Sequence, residues 1–447
     1  MSQRKAPQLP ENLQLQEPPA PSGAPRLHPP AMVSEVIAFL RCRSLENDAE
    51  RLKTEPQSEE GETTPPILYS LPGAAPAREV LSQKAFSKPD AIFLDCTLGT
   101  GGHTLAMLQA HRTCRVISFD RDADSMQFAK RRLEEAGVAD RVTMVQGDFR
   151  DAPELLKRLP DSFFDNQKIV GKPEGWTGAY GFIDGALIDA GMSLYQVTWP
   201  ERGLSFRSDA PLDMRYDRTQ EISAHDLVNR LSASELEDLL FKFTDERWAR
   251  RIAEFIVAQR NRSPINTTSE LAQLIEAAIP AAVRHQTRVH PATKTFAALR
   301  LAVNDEFWAL EEGAWAVSSV LAPAARLAIL TYSSNEDRAV KYTFRRLAGR
   351  AIERDSSRSK PHRKKGSAAL SERREPRNAR SPLAFSLNLP YADADDPRLQ
   401  SKWATGFGTA WQMKMITPKP VEPTPEEVAA NPLSRSCKLR AIEKVVL

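Results

Sequence analysis

Apolar positions along the 447-residue chain change rhythm several times, and the first sustained rhythm begins near residue 90. "AIFLDCT" is an apolar run that ends on an acid, "TLAMLQAHR" follows with helical spacing, and "RVISFDRD" repeats the apolar run and its acidic end. "ADSMQFAKRRLEEAG" predicts a helix closed by Gly137, "RVTMVQGDF" a third strand and, after an irregular stretch, "GALIDAGMS" a fourth. Short apolar runs alternating with helical patterns predict an α/β fold with a parallel sheet. Ligands of such sheets sit at the carboxyl ends of the strands. Asp95, Asp120, Asp148 and Asp189 all fall at that edge.

The rhythm then turns wholly helical over residues 220–285. Ser232 with Glu235 and Thr267 with Glu270 predict capping boxes. "RWARRIAEFIVAQR" and "ELAQLIEAAIP" space their apolar residues by three and four. A helical block inside an α/β chain predicts an inserted all-helical subdomain. "HPATKTFAALRLAVNDEFWALEEG" reads as one long helix with Phe296, Leu299, Val303, Phe307 and Leu310 on one stripe, and "ARLAILTYSS" as a later strand.

Other stretches break the pattern. "LHPPAMVSEVIAFL" (27–40) predicts a short docking helix, whereas 41–65 and the Pro-rich 417–432 read as linkers and 157–182 as a loop insertion. Residues 341–380 carry 14 Lys or Arg against 4 Asp or Glu with few large apolar residues, the composition of a disordered basic loop. The expected organisation is therefore a mostly disordered extension (1–65), a main domain in two parts (66–200 and 291–340) and the helical subdomain between them (201–290). A largely disordered insertion (341–430) and a C-terminal segment returning to the main domain (431–447) follow.

Composition narrows the chemistry. A 41% hydrophobic content permits a sizeable core, and no apolar run approaches a membrane span, so no membrane partner is expected. A net charge of +3 means that a nucleic-acid partner has to be met by a local basic face. Cys42, Cys96, Cys114 and Cys437 are scattered without a C-x-x-C pair, which argues against a structural zinc or a disulfide framework, so no metal site is expected. The N-terminus lacks a secretory apolar region, and its acids and prolines make a poor transit peptide.

"DCTLGTGGHT" (Asp95–Thr104) concentrates three glycines in four residues directly after the first strand. A dinucleotide fingerprint needs G-x-G-x-x-G, and Thr104 stands where the third glycine belongs. A phosphate-cradling P-loop needs a Lys after the glycines, and none follows. A dinucleotide is thereby disfavoured, and a nucleoside-type ligand with no phosphate to neutralise fits better. S-adenosylmethionine is such a ligand. The glycine backbone can approach its methionine portion, and Asp120, 18 residues after Gly102, stands near the spacing of a ribose-binding acid.

Beyond these generic features, "DCTLGTGGHT", "SFDRDADS", "GALIDAGMSLYQ", "RGLSFRSDAPLDMRYD", "HPATKTFAALRLAVNDE" and "NPLSRSCKLRAIEK" follow one another in an order that resembles the ribosomal RNA small-subunit methyltransferase H family. The likeness covers about residues 90–340 and 431–447, with a weaker echo at 27–40. It implies a Rossmann-like class I methyltransferase sheet and S-adenosylmethionine-dependent methylation of cytidine N4 in the decoding region of small-subunit ribosomal RNA. The implied partner is that RNA or the assembling small subunit. The oligomeric state is left open, with a homodimer in view.

Carried over residue by residue, the family's cofactor contacts fall on Gly101, Gly102, His103, Asp120, Phe149, Asp189 and Gln196. Asp189 is also a candidate proton acceptor. Asp213 joins it as a catalytic candidate, shaping the base pocket with Arg215. Arg202, Arg207, Arg215, Lys294 and Arg300 are candidate RNA contacts, as is Arg218.

The chain departs from the family where "DAGMSL" replaces "DLGVSS", "TYSSNEDR" replaces "SFHSLEDR" and "NPLSR" replaces "NPRAR". Leu194 thus stands for a serine and Ser333 for a histidine, which brings in a second expectation: an assembly factor that binds cofactor but turns over weakly or not at all. The long insertions suggest a eukaryotic, organellar version, with mitochondrion as the expected compartment and cytoplasm as the alternative.

Overall fold

The computed structural model describes residues 29–41, 88–159, 181–284, 289–350, 408 and 410–447. Most of the basic run at 341–380 lies outside them. The first apolar runs form β1 (Ile92–Asp95), β2 (Arg115–Asp120), β3 (Val142–Gln146) and β4 (Ile183–Asp189), and "ARLAILT" extends β5 (Leu321–Thr331). Two further strands close the chain: β6 (Trp411–Met415) and β7 (Lys438–Val446). They make one seven-stranded sheet in the order β3-β2-β1-β4-β5-β7-β6. The first five are parallel, β7 runs antiparallel to β5, and β6 antiparallel to β7. The segment 341–430, expected to lack order, therefore supplies an edge strand, and Pro425–Ala430 within it is helical.

The pleat sends alternate strand residues into two cores. Ile92, Leu94, Ile117, Phe119, Ile188, Leu327 and Ile329 face one side. They pack there under the helices α4 (Ala152–Lys157), α12 (Glu306–Val320) and α13 (Ser334–Leu347). Phe93, Val116, Leu187, Ala328 and Leu330 face the other. Their cover is α1 (Val33–Leu40), α2 (Gly102–Ala110) and α3 (Ala123–Glu135). The docking helix expected at 27–40 is thus α1.

A third core is helical. The short α5 (Leu194–Thr198) leads toward α6 (Ala224–Arg230), α7 (Ala233–Thr244), α8 (Ala249–Arg260) and α9 (Thr268–Ala278), which bury Leu227, Leu239, Ile252 and Leu271. The Ser232–Glu235 and Thr267–Glu270 capping boxes both form. After α10 (Ala281–Arg284), α11 (Thr293–Val303) adds Phe296 and Leu299 to the same core.

The single long helix expected over 290–313 is two. It breaks at Asn304–Asp305, where Asp305 adopts a left-handed φ of 53°. The Asn304 side chain is diverted into tertiary bonds: its Nδ2 donates to Met214 O (2.8 Å), and its Oδ1 accepts from Tyr216 N (2.8 Å). The break lets α11 serve the helical core while α12 lies on the sheet.

Candidate active site

Three of the four strand-end acids, Asp95, Asp120 and Asp189, meet at the glycine loop. Asp95 is fully buried at the end of β1. Its Oδ1 accepts from Thr97 N (3.2 Å) and its Oδ2 from the Thr104 hydroxyl (2.7 Å), which also lies 2.9 Å from the Ser118 hydroxyl. Thr104, the residue that breaks the dinucleotide fingerprint, thus satisfies a buried carboxylate that a glycine would leave short of a donor.

The loop itself is held by Asp120. Its Oδ2 accepts from Gly99 N (2.7 Å) and its Oδ1 from Asp122 N (2.9 Å). Gly101 takes a φ of 77°, and a Cβ there would stand 3.3 Å from the Ala129 Cβ of α3, so both dihedral and space call for glycine. Gly102 and His103 then open α2.

Burial pushes the Asp95 carboxyl up to about 6, against the opposing pull of His103 and Thr104. Burial also pushes Asp120 up to about 6, against the hydrogen bonds from Asp122 and Gly99. A carboxyl whose folded pKa exceeds its unfolded value favours folding fully below the unfolded value, and that contribution is lost as pH rises through the folded one. Each of these acids therefore costs stability between about pH 4 and pH 6. Asp95→Asn is expected to flatten the urea-denaturation stability profile across that window by on the order of 2 kcal/mol. The amide can donate to Thr104, whose hydroxyl then turns to Ser118. An unaltered profile would contradict the assigned burial cost.

Asp189 ends β4 with its side chain one quarter exposed (25%). Its N–H donates to Thr97 Oγ1 (2.7 Å), its Oδ1 accepts from the Tyr332 hydroxyl (2.8 Å), and its Oδ2 lies 3.4 Å from His103 Nδ1. Burial raises its carboxyl above the usual range, with His103 and Tyr332 opposing. Asp148, after β3, is also pushed up by burial, but Arg150 (2.8 Å) and Arg121 (3.4 Å) more than offset this and hold it below the usual range. Arg150 continues to Asp305 (2.9 Å), at the helix break.

Gly101, Gly102, His103, Asp120 and Asp189 come together, and several of the other expected site residues carry structural contacts of their own. Phe149 lies against Gly313 of α12, where any Cβ would collide with its ring at 2.2 Å. Gln196 is buried and committed on both ends of its amide: Oε1 accepts from Ser193 N (2.9 Å) to cap α5, and Nε2 donates to Asp122 (2.7 Å). Asp213 is taken by Arg215, which grips it at 2.7 and 2.8 Å and passes a third bond to Gln220 O. That ion pair fixes the loop that carries Asp213 and Arg215.

Arg202 and Arg300 need correction as RNA contacts. Arg202 is buried, donating to Asp122 (2.6 Å), Asp124 (3.0 Å) and Tyr216 O (3.0 Å). Arg300 is ion-paired with Glu306 (3.0 Å), with only 15% of its side chain exposed. Arg207, Arg218 and Lys294 are exposed. Ser333, where the family motif has histidine, caps α13 with Glu336.

Sequence reasoning passed over Thr97, Arg121 and Tyr332. Thr97 and Tyr332 lay inside motifs already quoted, but nothing local shows that either would reach Asp189. Among the described residues no group of three or more His, Cys, Asp or Glu is arranged to hold a metal ion.

Residues 70–374 match the MraW methylase family. Two curated relatives, both named ribosomal RNA small subunit methyltransferase H, are similar over most of their length. The protein of Finegoldia magna is 35% identical over 355 residues, 79% of this chain and 93% of its own. That of Trichlorobacter lovleyi is 37% identical over 370 residues, 83% and 96%.

Proposed function

We propose, for a chain that belongs to the MraW methylase family and is accordingly an S-adenosylmethionine-dependent ribosomal RNA methyltransferase, that its target is the N4 amino group of a cytidine in the decoding region of small-subunit RNA. The observation that carries this reading is the meeting of three strand-end acids at a bare glycine backbone.

The donor set fits the cofactor. The loop from Thr97 to Thr104 carries no Lys or Arg of its own; Asp95, Asp120 and Asp189 all contact it, while Arg132 reaches it only at Thr100 O. Such a field suits a sulfonium cation and not a pyrophosphate. Gly99, Gly101 and Gly102 would admit the methionine portion, and Asp120 would accept from ribose hydroxyls with the lone pairs its two backbone bonds leave over. S-adenosylmethionine, when bound, supplies an electrophilic methyl group.

The cytidine amine is a weak nucleophile because its lone pair is delocalised into the ring. Asp189 is the acceptor placed to hydrogen-bond that amine, localise the pair and take its proton. Its partial exposure leaves it reachable from the loop side. The β4 backbone, the Thr97 hydroxyl at the Asp189 N–H and the Tyr332 hydroxyl at its carboxylate supply the positioning on which much of such a rate depends. A cytidine in structured RNA has to be extruded to reach this site. Arg207, Arg218 and Lys294 remain the exposed cations for phosphate contact.

The same reading places the enzyme in subunit maturation, and in an organelle on the strength of its insertions. Ribosomal RNA from cells lacking the protein is expected to lose one N4-methylated cytidine. Intact methylation in those cells would reject the proposal.

A further inference from the structure

The Asp189 carboxylate is held on both oxygens by side chains from elements far apart in sequence: His103 at the start of α2 and Tyr332 at the end of β5. The His103 ring fixes its own tautomer. Its Nε2 lies 2.9 Å from Ala31 O, and a carbonyl only accepts, so Nε2 carries hydrogen. Nδ1 then faces Asp189 Oδ2. A neutral ring in that tautomer points a lone pair at the carboxylate, and a proton shared between Nδ1 and Oδ2 would join the two. Where that proton resides decides whether Asp189 is an acceptor or a donor.

Tyr332 acts on that choice. Its hydroxyl donates to Oδ1 at 2.8 Å, and a hydrogen bond to the charged form favours the charged form. Tyr332 thereby favours the carboxylate form of Asp189. Besides Glu336, whose Oε2 accepts from Tyr332 N (2.8 Å), two other titratable groups face the cluster. The Cys437 thiol, just before β7, hydrogen-bonds Tyr332 and is pushed up by burial and by the Asp189 charge. The Asp95 carboxylate acts on Asp189 as a like charge. Neither supplies a donor to Asp189 that could replace the Tyr332 hydroxyl.

We propose that Tyr332 is a positioning residue which, together with the Ala31-anchored His103, fixes the Asp189 carboxylate and keeps it available as a proton acceptor. The inference rests on Asp189 receiving the amino proton, as set out above.

Tyr332→Phe tests it with a ring of the same size. The pH profile of kcat is expected to move its acid limb to higher pH, so that kcat at pH 6 falls roughly tenfold more than at pH 8, the scale of one hydrogen bond to a charged group. KM for the cofactor is expected to move less than kcat. Independently of turnover, carboxyl-carbon NMR of cofactor-free protein, with Asp189→Asn assigning the signal, is expected to show Asp189 titrating at higher pH in Tyr332→Phe.

A purely packing role would instead lower melting temperature and scale kcat equally at all pH values. That result, or an Asp189 titration unmoved by the substitution, would overturn the proposal. If the wild-type protein transfers no methyl group to RNA, the reading of Asp189 as acceptor fails, while the NMR titration still decides what Tyr332 does to the carboxyl.

Discussion

Asp120→Ala is expected to weaken S-adenosylmethionine binding by at least about 100-fold, because two contributions vanish together. The first is direct: a carboxylate accepting from ribose hydroxyls contributes about 1.5–3 kcal/mol per bond. The second is visible in the free protein. Asp120 accepts from Gly99 N and Asp122 N and so holds the glycine loop in the shape that leaves its backbone bare. Alanine strands both donors and frees the loop. Asp120→Asn keeps one acceptor oxygen and is expected to fall between alanine and wild type. Titration calorimetry with the cofactor alone reads all three proteins. An alanine variant that binds within a few-fold of wild type would remove Asp120 from the site.

The second large effect concerns Arg202, which the sequence offers as a surface cation and the fold buries. Its guanidinium joins Asp122 and Asp124 to the carbonyl of Tyr216, tying the start of α3 to the "PLDMRYD" loop. Removing one partner of a buried pair leaves the other charge uncompensated, at a cost of about 3–5 kcal/mol. Arg202→Ala is therefore expected to lower melting temperature sharply with no RNA present. Arg207→Ala, at an exposed cation, is expected to leave melting unchanged and to weaken RNA binding in a salt-dependent way. Wild-type melting in Arg202→Ala, with weakened RNA binding alone, would restore Arg202 to the interface.

The contrast between these two residues shows what the sequence could disclose. β1 to β5 were legible because buried parallel strands are short apolar runs that end abruptly, and the acids at their ends mark the ligand edge. The capping boxes at Ser232 and Thr267 were legible because each is complete within four residues. Arg202 was not, since its acidic partners lie 78 and 80 positions away.

The break between α11 and α12 was hidden for a similar reason. Phe296, Leu299, Val303, Phe307 and Leu310 keep helical spacing straight through it, and only the tertiary bonds of Asn304 interrupt the backbone. β6 escaped notice because its flanks are polar and Pro-rich. β7 carries Lys444, an unpromising core residue that is nonetheless buried, donating to Ser319 O (2.9 Å) with its ammonium 4.8 Å from the centroid of the Trp411 ring.

At the site itself, the glycine loop and the acids at the strand ends could be found from spacing alone. The hydroxyls that orient those acids, on Thr97, Thr104 and Tyr332, come from separate elements and are visible only once the strands are aligned. Thr104 looked like a defect in a dinucleotide motif and is a hydrogen-bond donor to Asp95.

The central claim is methyl transfer to a cytidine amine of small-subunit ribosomal RNA. Its most direct test is incubation of the full-length protein with that RNA and isotope-labelled S-adenosylmethionine, followed by nucleoside mass spectrometry. Label is expected in N4-methylcytidine, with none transferred by the Asp120→Ala variant. Label in a different nucleoside, or cofactor binding with no transfer at all, would contradict it.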